Sequence, residues 1–488
     1  MGKADGEAAR RGDLQGALVS LLRAKWGEAP EVSRPVRMSG GSSRETWSFE
    51  ASSPSSSGTL YVLRRDPPGA LVPGVAREAR LLDAARRAGV PVPRVVATPE
   101  DAPEEARATL GDSFVVVEHV AGETIPRRIL DSPDLAQARK RLAAQCGEVL
   151  ARIHSVDPGS IGGLDASDVL EGARRLLDWL GEPHPAFELG FRRLEATRPA
   201  SSRNVLVHGD FRNGNLIVGE EGIRAVLDWE LAHIGDPLED LGWLCVKAWR
   251  FGSELPVGGF GTYDDLVAAY EAASGEKVDR QALEWWEAVG TLRWGIFCIL
   301  QAHMHTSGRI RSVELAAIGR RVCEQEWDLL DLFGVPRPPK ELALGGALGG
   351  MTGGATTGAL GGVTAGATGG ARGREGFMPN DAPSATALLE AVRAFLAGEV
   401  AETSTGRLRF HAKVAANVVD MVSREIVLGE EAEARRRARL ERLGVKDEAE
   451  LASAIRSGAM DERMEEVEQA VREEVADKLA VANPTHLC

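Results

Sequence analysis

Residues Asn204–Asp240 read NVLVHGDFRNGNLIVGEEGIRAVLDWELAHIGDPLED. Two apolar runs, Leu216–Val218 and Ile223–Leu227, flank Gly-Glu-Glu-Gly, which is the pattern of a tight β-hairpin. His208, Asp210, Asn213 and Asn215 lie just before the first run, and Asp228 comes directly after the second. The hairpin therefore carries Asn215 and Asp228 to the same end of a two-stranded ribbon. Two oxygen-bearing side chains side by side suit a hard divalent cation such as Mg²⁺, which takes few carboxylates and leaves room for phosphate oxygens.

The spacing His-x-Asp-x-x-x-x-Asn, with a further Asp after the next strand, is the catalytic arrangement of kinases. A hydroxyl nucleophile needs a positioned carboxylate to accept its proton, and Asp210 is offered on a loop. The phosphoryl group needs its charge neutralised, and Asn215 and Asp228 are placed to hold the metal that does so. With MSGGSSRETWSF, YVLRRDPPG and REARLLDAARRAGVPVPRVV upstream, the segment resembles the aminoglycoside phosphotransferase-like family of the protein-kinase-like fold. It is most similar to the kinase-like domains associated with acyl-CoA dehydrogenases. The resemblance spans roughly residues 30–335.

The resemblance implies roles residue by residue. Ser39, Gly40, Gly41, Ser42, Ser43 and Arg44 form a loop over the nucleotide phosphates, with backbone N–H groups as the cradle. The phosphate-binding cation lies on the strand around Tyr61–Arg65. Period-two alternation puts Val62 and Arg64 on one face, so Arg64 is the residue assigned to the α- and β-phosphates. An arginine there departs from the usual lysine; it binds phosphate bidentately but is bulkier. Glu78 on the next helix is its ion-pair partner. Glu118, His119 and Val120 form the hinge that meets adenine through its backbone. Asp228-Trp229-Glu230 replaces the Asp-Phe-Gly of protein kinases. His208 supports the loop, and Asp236 and Asp240 brace it and cap the next helix.

Working outward, Thr46–Ala51, Thr59–Arg64 and Ser113–His119 read as short strands, and Asp13–Trp26 and Val75–Ala88 as helices. From about Leu135 the pattern is mainly helical. The fold class expected is α+β, a bilobal protein-kinase-like fold with a β-rich N-lobe (1–120) and a helical C-lobe (121–340). Leu342–Ala371 contains no charge, no proline and no aromatic residue. Glycine at that density supports neither helix nor strand, so 341–376 is read as a flexible linker. Residues 377–488 then form a small all-α domain of unknown function. Leu388, Leu389, Val392, Phe395 and Leu396 mark one of its apolar stripes, and Gly406, Gly429 and Gly444 are read as helix boundaries.

The net charge of the 488 residues is −14, shared as −6 over 377–488 and −8 over the rest, which argues against binding nucleic acid. Five cysteines without paired spacing suit a reducing compartment. No secretory signal and no uncharged apolar run of membrane-spanning length is found, so a cytoplasmic protein without membrane association is expected. Cys298, His303, His305 and Cys323 match no standard zinc spacing and are read as core or pocket wall.

The function expected is an ATP- and Mg²⁺-dependent kinase acting on an alcohol group of a small molecule. The acyl-CoA dehydrogenase resemblance favours a hydroxyacyl-CoA-type acceptor. Aminoglycosides, choline, homoserine or sugars are the broader family's alternatives, and Leu292–Met304, with Arg293 as its one charged residue, lacks the carboxylates a cationic acceptor would want. A nucleotide-binding pseudokinase serving as a docking module is the reading from another class. The C-terminal helical domain would mediate dimerisation or partner docking.

Overall fold

The computed structural model describes residues 2–38, 44–54, 56–66, 74–166, 168–200, 203–338 and 383–487. The phosphate loop expected at Ser39–Ser43 and the glycine-rich stretch expected to be a linker lie outside the described residues. By contact density the chain forms two compact units, Met1–Arg175 with Arg193–Arg293, and Leu176–Arg192 with Trp294–Cys488.

The first unit opens with helix α1 (Gly2–Trp26), longer than the sequence pattern suggested, and a six-stranded antiparallel sheet. Its strands are β1 (Glu31–Val32), β2 (Val36–Arg37), β3 (Glu45–Ser53), β4 (Ser56–Arg65), β5 (Val95–Ala97) and β6 (Phe114–Glu118). The order is β1-β3-β4-β6-β5, with β2 also paired to β3. Alternation decides which side chains go where. Tyr61, Leu63, Phe114 and Val116 pack with Leu18 and Leu22 of α1 on one face. Val62, Val115 and Val117 turn to the other, against Leu81 and Leu82 of helix α2 (Val75–Arg87). Arg64 shares the face of Val62, so the sheet delivers a guanidinium to the α2 side. Each fully buried Leu, Val or Phe adds roughly 1.5–3 kcal/mol relative to exposure, enough to fix the register.

The rest of this unit is mainly helical. Short helices α3 (Glu104–Leu110) and α4 (Pro126–Asp131) lead to α5 (Ala136–His154), which packs along α9 (Tyr263–Ser274). Gly147 permits that approach, because a Cβ there would sit 2.4 Å from the Leu266 carbonyl oxygen. Between them run β7 (Val205–Val207), β8 (Leu216–Gly219), β9 (Gly222–Val226), β10 (His233–Gly235) and α8 (Leu238–Cys245). β7 pairs with β10 and β8 with β9, both antiparallel. A β-rich N-terminal region succeeded by a helical lobe is the bilobal α+β arrangement of the kinase-like fold.

Three helices contribute residues to each unit: α6 (Val169–Leu180), α7 (Pro185–Ala196) and α10 (Arg280–Thr306). The second unit is all-α. It adds α11 (Val313–Gly319), α12 (Val322–Leu332), α13 (Ala385–Phe395), α14 (Gly406–Leu443), α15 (Glu448–Ser457) and α16 (Met464–Ala482). One expectation is corrected here. Gly429 does not break a helix but sits inside the 38-residue α14; a lone interior glycine costs about 1 kcal/mol against Ala, which packing along the helix outweighs. Gly444, in the left-handed region at φ 78°, does end it. The stripe of Leu388, Val392 and Phe395 is about half exposed. No helix among the described residues is long and apolar enough to cross a membrane.

Candidate active site

The hairpin β8–β9 pairs Leu216 with Val226, and the Leu227 N–H donates to the Asn215 carbonyl at 2.8 Å. Asn215 and Asp228 thus leave the ribbon at one end. Asp228 has φ 67° and ψ 63°, a left-handed conformation uncommon for a residue with a Cβ. Strain of this kind concentrates where side-chain direction matters, and the next residue, Trp229, is fully buried as the anchor. On the loop before β8, Gly209 (φ 78°) passes so close to Leu231 that a Cβ would sit 2.5 Å from its carbonyl oxygen.

The Asp210 carboxylate is held from three directions. Its Oδ1 accepts from Trp243 Nε1 on α8 and from Arg212 Nε, each at 2.9 Å, and its Oδ2 accepts from Asn215 Nδ2 at 2.6 Å. Arg212 in turn stacks its guanidinium 4.4 Å from the ring centre of Trp249, and Arg293 lies 5.3 Å from that of Trp243. Trp243 and Arg212 were not singled out from the sequence. Trp243 lies 33 residues away, and no spacing rule announces it.

His208 is buried, and both of its ring nitrogens are committed. Nδ1 accepts from the Asp210 N–H at 3.2 Å, so Nε2 carries the proton and donates to the Leu227 carbonyl at 3.0 Å. Burial pushes its pKa down despite the nearby carboxylates of Asp240, Asp210 and Asp228, so the ring stays neutral and has no lone pair to spare. Asp240 accepts from the backbone N–H groups of His208 and Gly209 at 2.8 and 2.9 Å, and from His154, whose other nitrogen meets Tyr270. Burial alone would raise Asp240; the His154 bond, His208 and the backbone donor hold it below the usual carboxylate range. Asp236 accepts from the Leu238 N–H at the start of α8. Asn213 donates to the Gly258 carbonyl.

On the sheet side, Arg64 reaches Glu78 of α2 through Nη1 and Asp228 Oδ1 through Nη2, the latter at 3.3 Å. Burial would lower the Arg64 pKa, but Glu78 and Asp228 overcome it and hold the guanidinium above its ordinary value. Glu78 is almost wholly buried, and burial raises its carboxyl against the pull of two arginines, Arg64 and Arg44. Arg44 is the second partner: its Nη1 meets Glu78 Oε2, its Nε lies 3.4 Å from Asp66 and its Nη2 3.6 Å from Glu230. The sequence placed Arg44 in the phosphate loop; its side chain lies in this ion-pair cluster. Burial, then Asp228, raises the Glu230 carboxyl.

At Glu118–Val120 the Glu118 and His119 N–H groups donate to the Arg94 and Leu60 carbonyls, both at 2.9 Å. The next amide, Val120, is half-buried beyond the end of β6. A magnesium ion fits the residues present. Asn215 spends its amide nitrogen on Asp210, which turns its oxygen away as an acceptor, and Asp228 has a second carboxylate oxygen besides the one that meets Arg64. Two protein oxygens are what Mg²⁺ takes when phosphate and water complete its shell. Among the described residues no group of three or more His, Cys, Asp or Glu side chains is placed to hold a metal.

A sheet that delivers Arg64 to Glu78 of the next helix, with Asp210 on a loop and Asn215 and Asp228 at one end of a hairpin, is the arrangement of a kinase-like phosphotransferase. Residues 36–286 match the phosphotransferase enzyme family, and the chain belongs to that family. Residues 402–486 match a domain of unknown function, DUF6285. Among curated relatives, mouse acyl-CoA dehydrogenase family member 10 is 34% identical over 213 residues, covering 40% of this chain and 19% of that protein. Human acyl-CoA dehydrogenase family member 11 is 32% identical over 197 residues, covering 37% and 24%. The chain thus spans about a quarter or less of the length of these two relatives. A solved structure from Ralstonia eutropha, assigned to the aminoglycoside phosphotransferases, aligns over 64% of this chain and 97% of its own at 23% identity and a TM-score of 0.51. That likeness concerns the fold.

Proposed function

We propose that the protein transfers the γ-phosphoryl group of ATP to a hydroxyl of a small molecule. The observation that carries this reading is the Asp210 carboxylate, fixed by Trp243, Arg212 and Asn215 beside the end of the hairpin where Asp228 projects. Oδ1 is taken by two donors, but Oδ2 accepts only the Asn215 bond, so its second lone pair can take the acceptor's proton while Asp210 remains held. The acceptor oxygen then forms a bond to the γ-phosphorus as the bond to the β-phosphate oxygen breaks, and ADP leaves. Arg64 would release Asp228 to meet the α- and β-phosphates, keeping Glu78 as its anchor. Val120 N–H would serve the adenine edge. Asn215 and Asp228 would hold Mg²⁺, which when bound supplies neutralising charge to the phosphate oxygens. His208, neutral and doubly bonded, orients the loop and takes no proton.

For the acceptor, kinship with proteins named as acyl-CoA dehydrogenase family members favours a hydroxyacyl thioester over an aminoglycoside, choline or sugar. The test is ATP consumption against a panel of hydroxyacyl-CoA, aminoglycoside, choline and sugar acceptors, with Asp210→Asn alongside. Turnover of one class is expected, with a loss of at least ~10²-fold in the variant, as for a missing general base. An equal rate in Asp210→Asn sinks the assignment. Tight ATP binding without turnover of any acceptor favours the binding module instead.

A further inference from the structure

Helix α12 has the sequence VCEQEWDLLDL, and its residues Val322–Leu330 are all buried, Glu324, Glu326 and Asp328 among them. Three carboxylates on a helix with no wet face are tolerable only where partners are built around them. Most of those partners come from the far end of the chain. Lys478 Nζ lies 3.5 Å from Glu326, His486 Nε2 2.8 Å from Asp328, and Asn483 Nδ2 donates to Glu324 at 2.9 Å. Arg472, wholly buried, donates to the Trp327 carbonyl at 2.7 Å, pairs with Asp331, and lies 3.6 Å from the Trp327 ring centre. From the near side, His184 approaches Glu326 at 2.8 Å.

The apolar contacts point the same way. Trp327, Leu330 and Leu189 form one buried cluster with Leu443, Ile455, Val471 and Leu479, which lie beyond the glycine-rich stretch. At the rim, Arg192 meets Asp461, Arg456 meets Asp178 at 2.6 Å, and Arg320 meets Glu425 at 2.8 Å.

We propose that residues 383–487 act as a built-in subunit: a helical domain docked on the acidic helix α12 by the cations of α16 and of the short turn Pro484–Leu487, with the glycine-rich stretch as the covalent connection. The partner that this surface fits is helix α16 with the turn that follows it, presenting Arg472 and Lys478 from the helix and His486 from the turn over an apolar patch. In the intact chain the tether acts as an effective-concentration device. The domain also completes the fold of α12, whose acids and Trp327 would otherwise meet water or each other.

The test uses the full chain with a site-specific protease sequence inserted in the stretch 350–365. After native cleavage the two fragments are expected to co-elute as a 1:1 complex with the mass of the intact chain, at micromolar concentration and in 1 M NaCl. Separation of the fragments under those conditions overturns the proposal, and so does a complex of twice that mass. Arg472→Glu should raise the dissociation constant of the nicked pair by at least ~10²-fold, as expected when one partner of a buried ion pair is reversed. Because that variant can lose fold as well as affinity, Asp331→Arg combined with Arg472→Glu is the control. Recovery of at least tenfold supports the docking contact. No recovery, with helicity by circular dichroism equal to wild type, counts against it.

Discussion

Two clusters of buried charge stand out in this chain, and they are built on opposite principles. In the first unit, four carboxyl groups (Asp66, Glu78, Asp228 and Glu230) surround two guanidinium groups, those of Arg44 and Arg64, so the cluster holds two more acidic groups than basic ones. It is also open: the side chains of Asp228 and Glu230 are about a third exposed. In the second unit, the acids of α12 meet Arg472, Lys478, His486 and His184 nearly one for one, and Glu324, Glu326 and Asp328 are themselves closed off from solvent. A closed, matched cluster has nothing left to bind; it specifies how helices pack. An open cluster with surplus carboxyl oxygens has room for a further cation, which the proposed metal-bound nucleotide would bring. On the proposed function, the same residue types thus serve assembly in one place and chemistry in the other, and the difference lies in charge balance and exposure.

The largest expected effect breaks the open cluster while leaving the closed one intact. Asp228→Asn keeps the left-handed backbone, which Asn tolerates well, and removes one charge from the hairpin's end. Turnover should fall by about 10²–10³-fold, the scale for losing one electrostatic group at a reacting centre. The melting temperature should move little, since Arg64 keeps Glu78. A variant with wild-type turnover would show that the surplus carboxylate has no part in the reaction. The converse change is Glu326→Gln. Burial alone would raise this carboxyl, but Lys478 and His184 hold it down at about 2. A depressed carboxyl stabilises the fold above its ordinary pKa, here 4.5, and that contribution is lost as pH falls from there toward the depressed value. Urea unfolding should therefore show the wild type ahead of the variant by about 2–3 kcal/mol at pH 7, narrowing below about pH 4.5. A gap that stays constant down to about pH 3 would mean that the pair contributes through packing and not charge.

The sequence revealed the two clusters unequally, for a physical reason. His208, Asp210, Asn215 and Asp228 lie within 21 residues, so a hairpin and a spacing rule suffice to place them. Arg64 could be aimed because strand alternation is strict, and β4 does turn it to the α2 side with Val62. The Arg44–Glu78 contact spans 34 residues, Trp243–Asp210 spans 33 and Arg472–Asp331 spans 141. No local period encodes such pairs; they exist only because helices and sheet pack as they do. The run around Arg435–Arg437 shows the same limit. It reads as a solvated face with pairs along the helix, and Arg436–Glu433 and Arg437–Glu433 do occur, yet Arg435 and Arg436 also reach Asp477 and Glu448 on neighbouring helices.

The smallest expected effect sharpens the comparison, because it concerns a residue common to both principles. Arg44 is nearly as buried as Arg472 of the closed cluster but sits in the open one, and Gly74 makes room for it: a Cβ at Gly74 would collide with Arg44 Nη2. By holding the second oxygen of Glu78 together with Asp66, Arg44 frees Arg64 from neutralising Glu78 alone. Arg44→Ala should then weaken Mg-ATP binding by about tenfold in calorimetry, in keeping with one lost charge-assisted hydrogen bond. Arg44→Lys should restore part of it, because the charge survives but the planar fork does not. Gly74→Ala should reproduce the defect with the arginine still present, since the guanidinium is the mobile party to the collision. If Arg44→Ala lowers the melting temperature and leaves nucleotide affinity at the wild-type value, Arg44 belongs with the closed cluster, as a packing residue placed near the site.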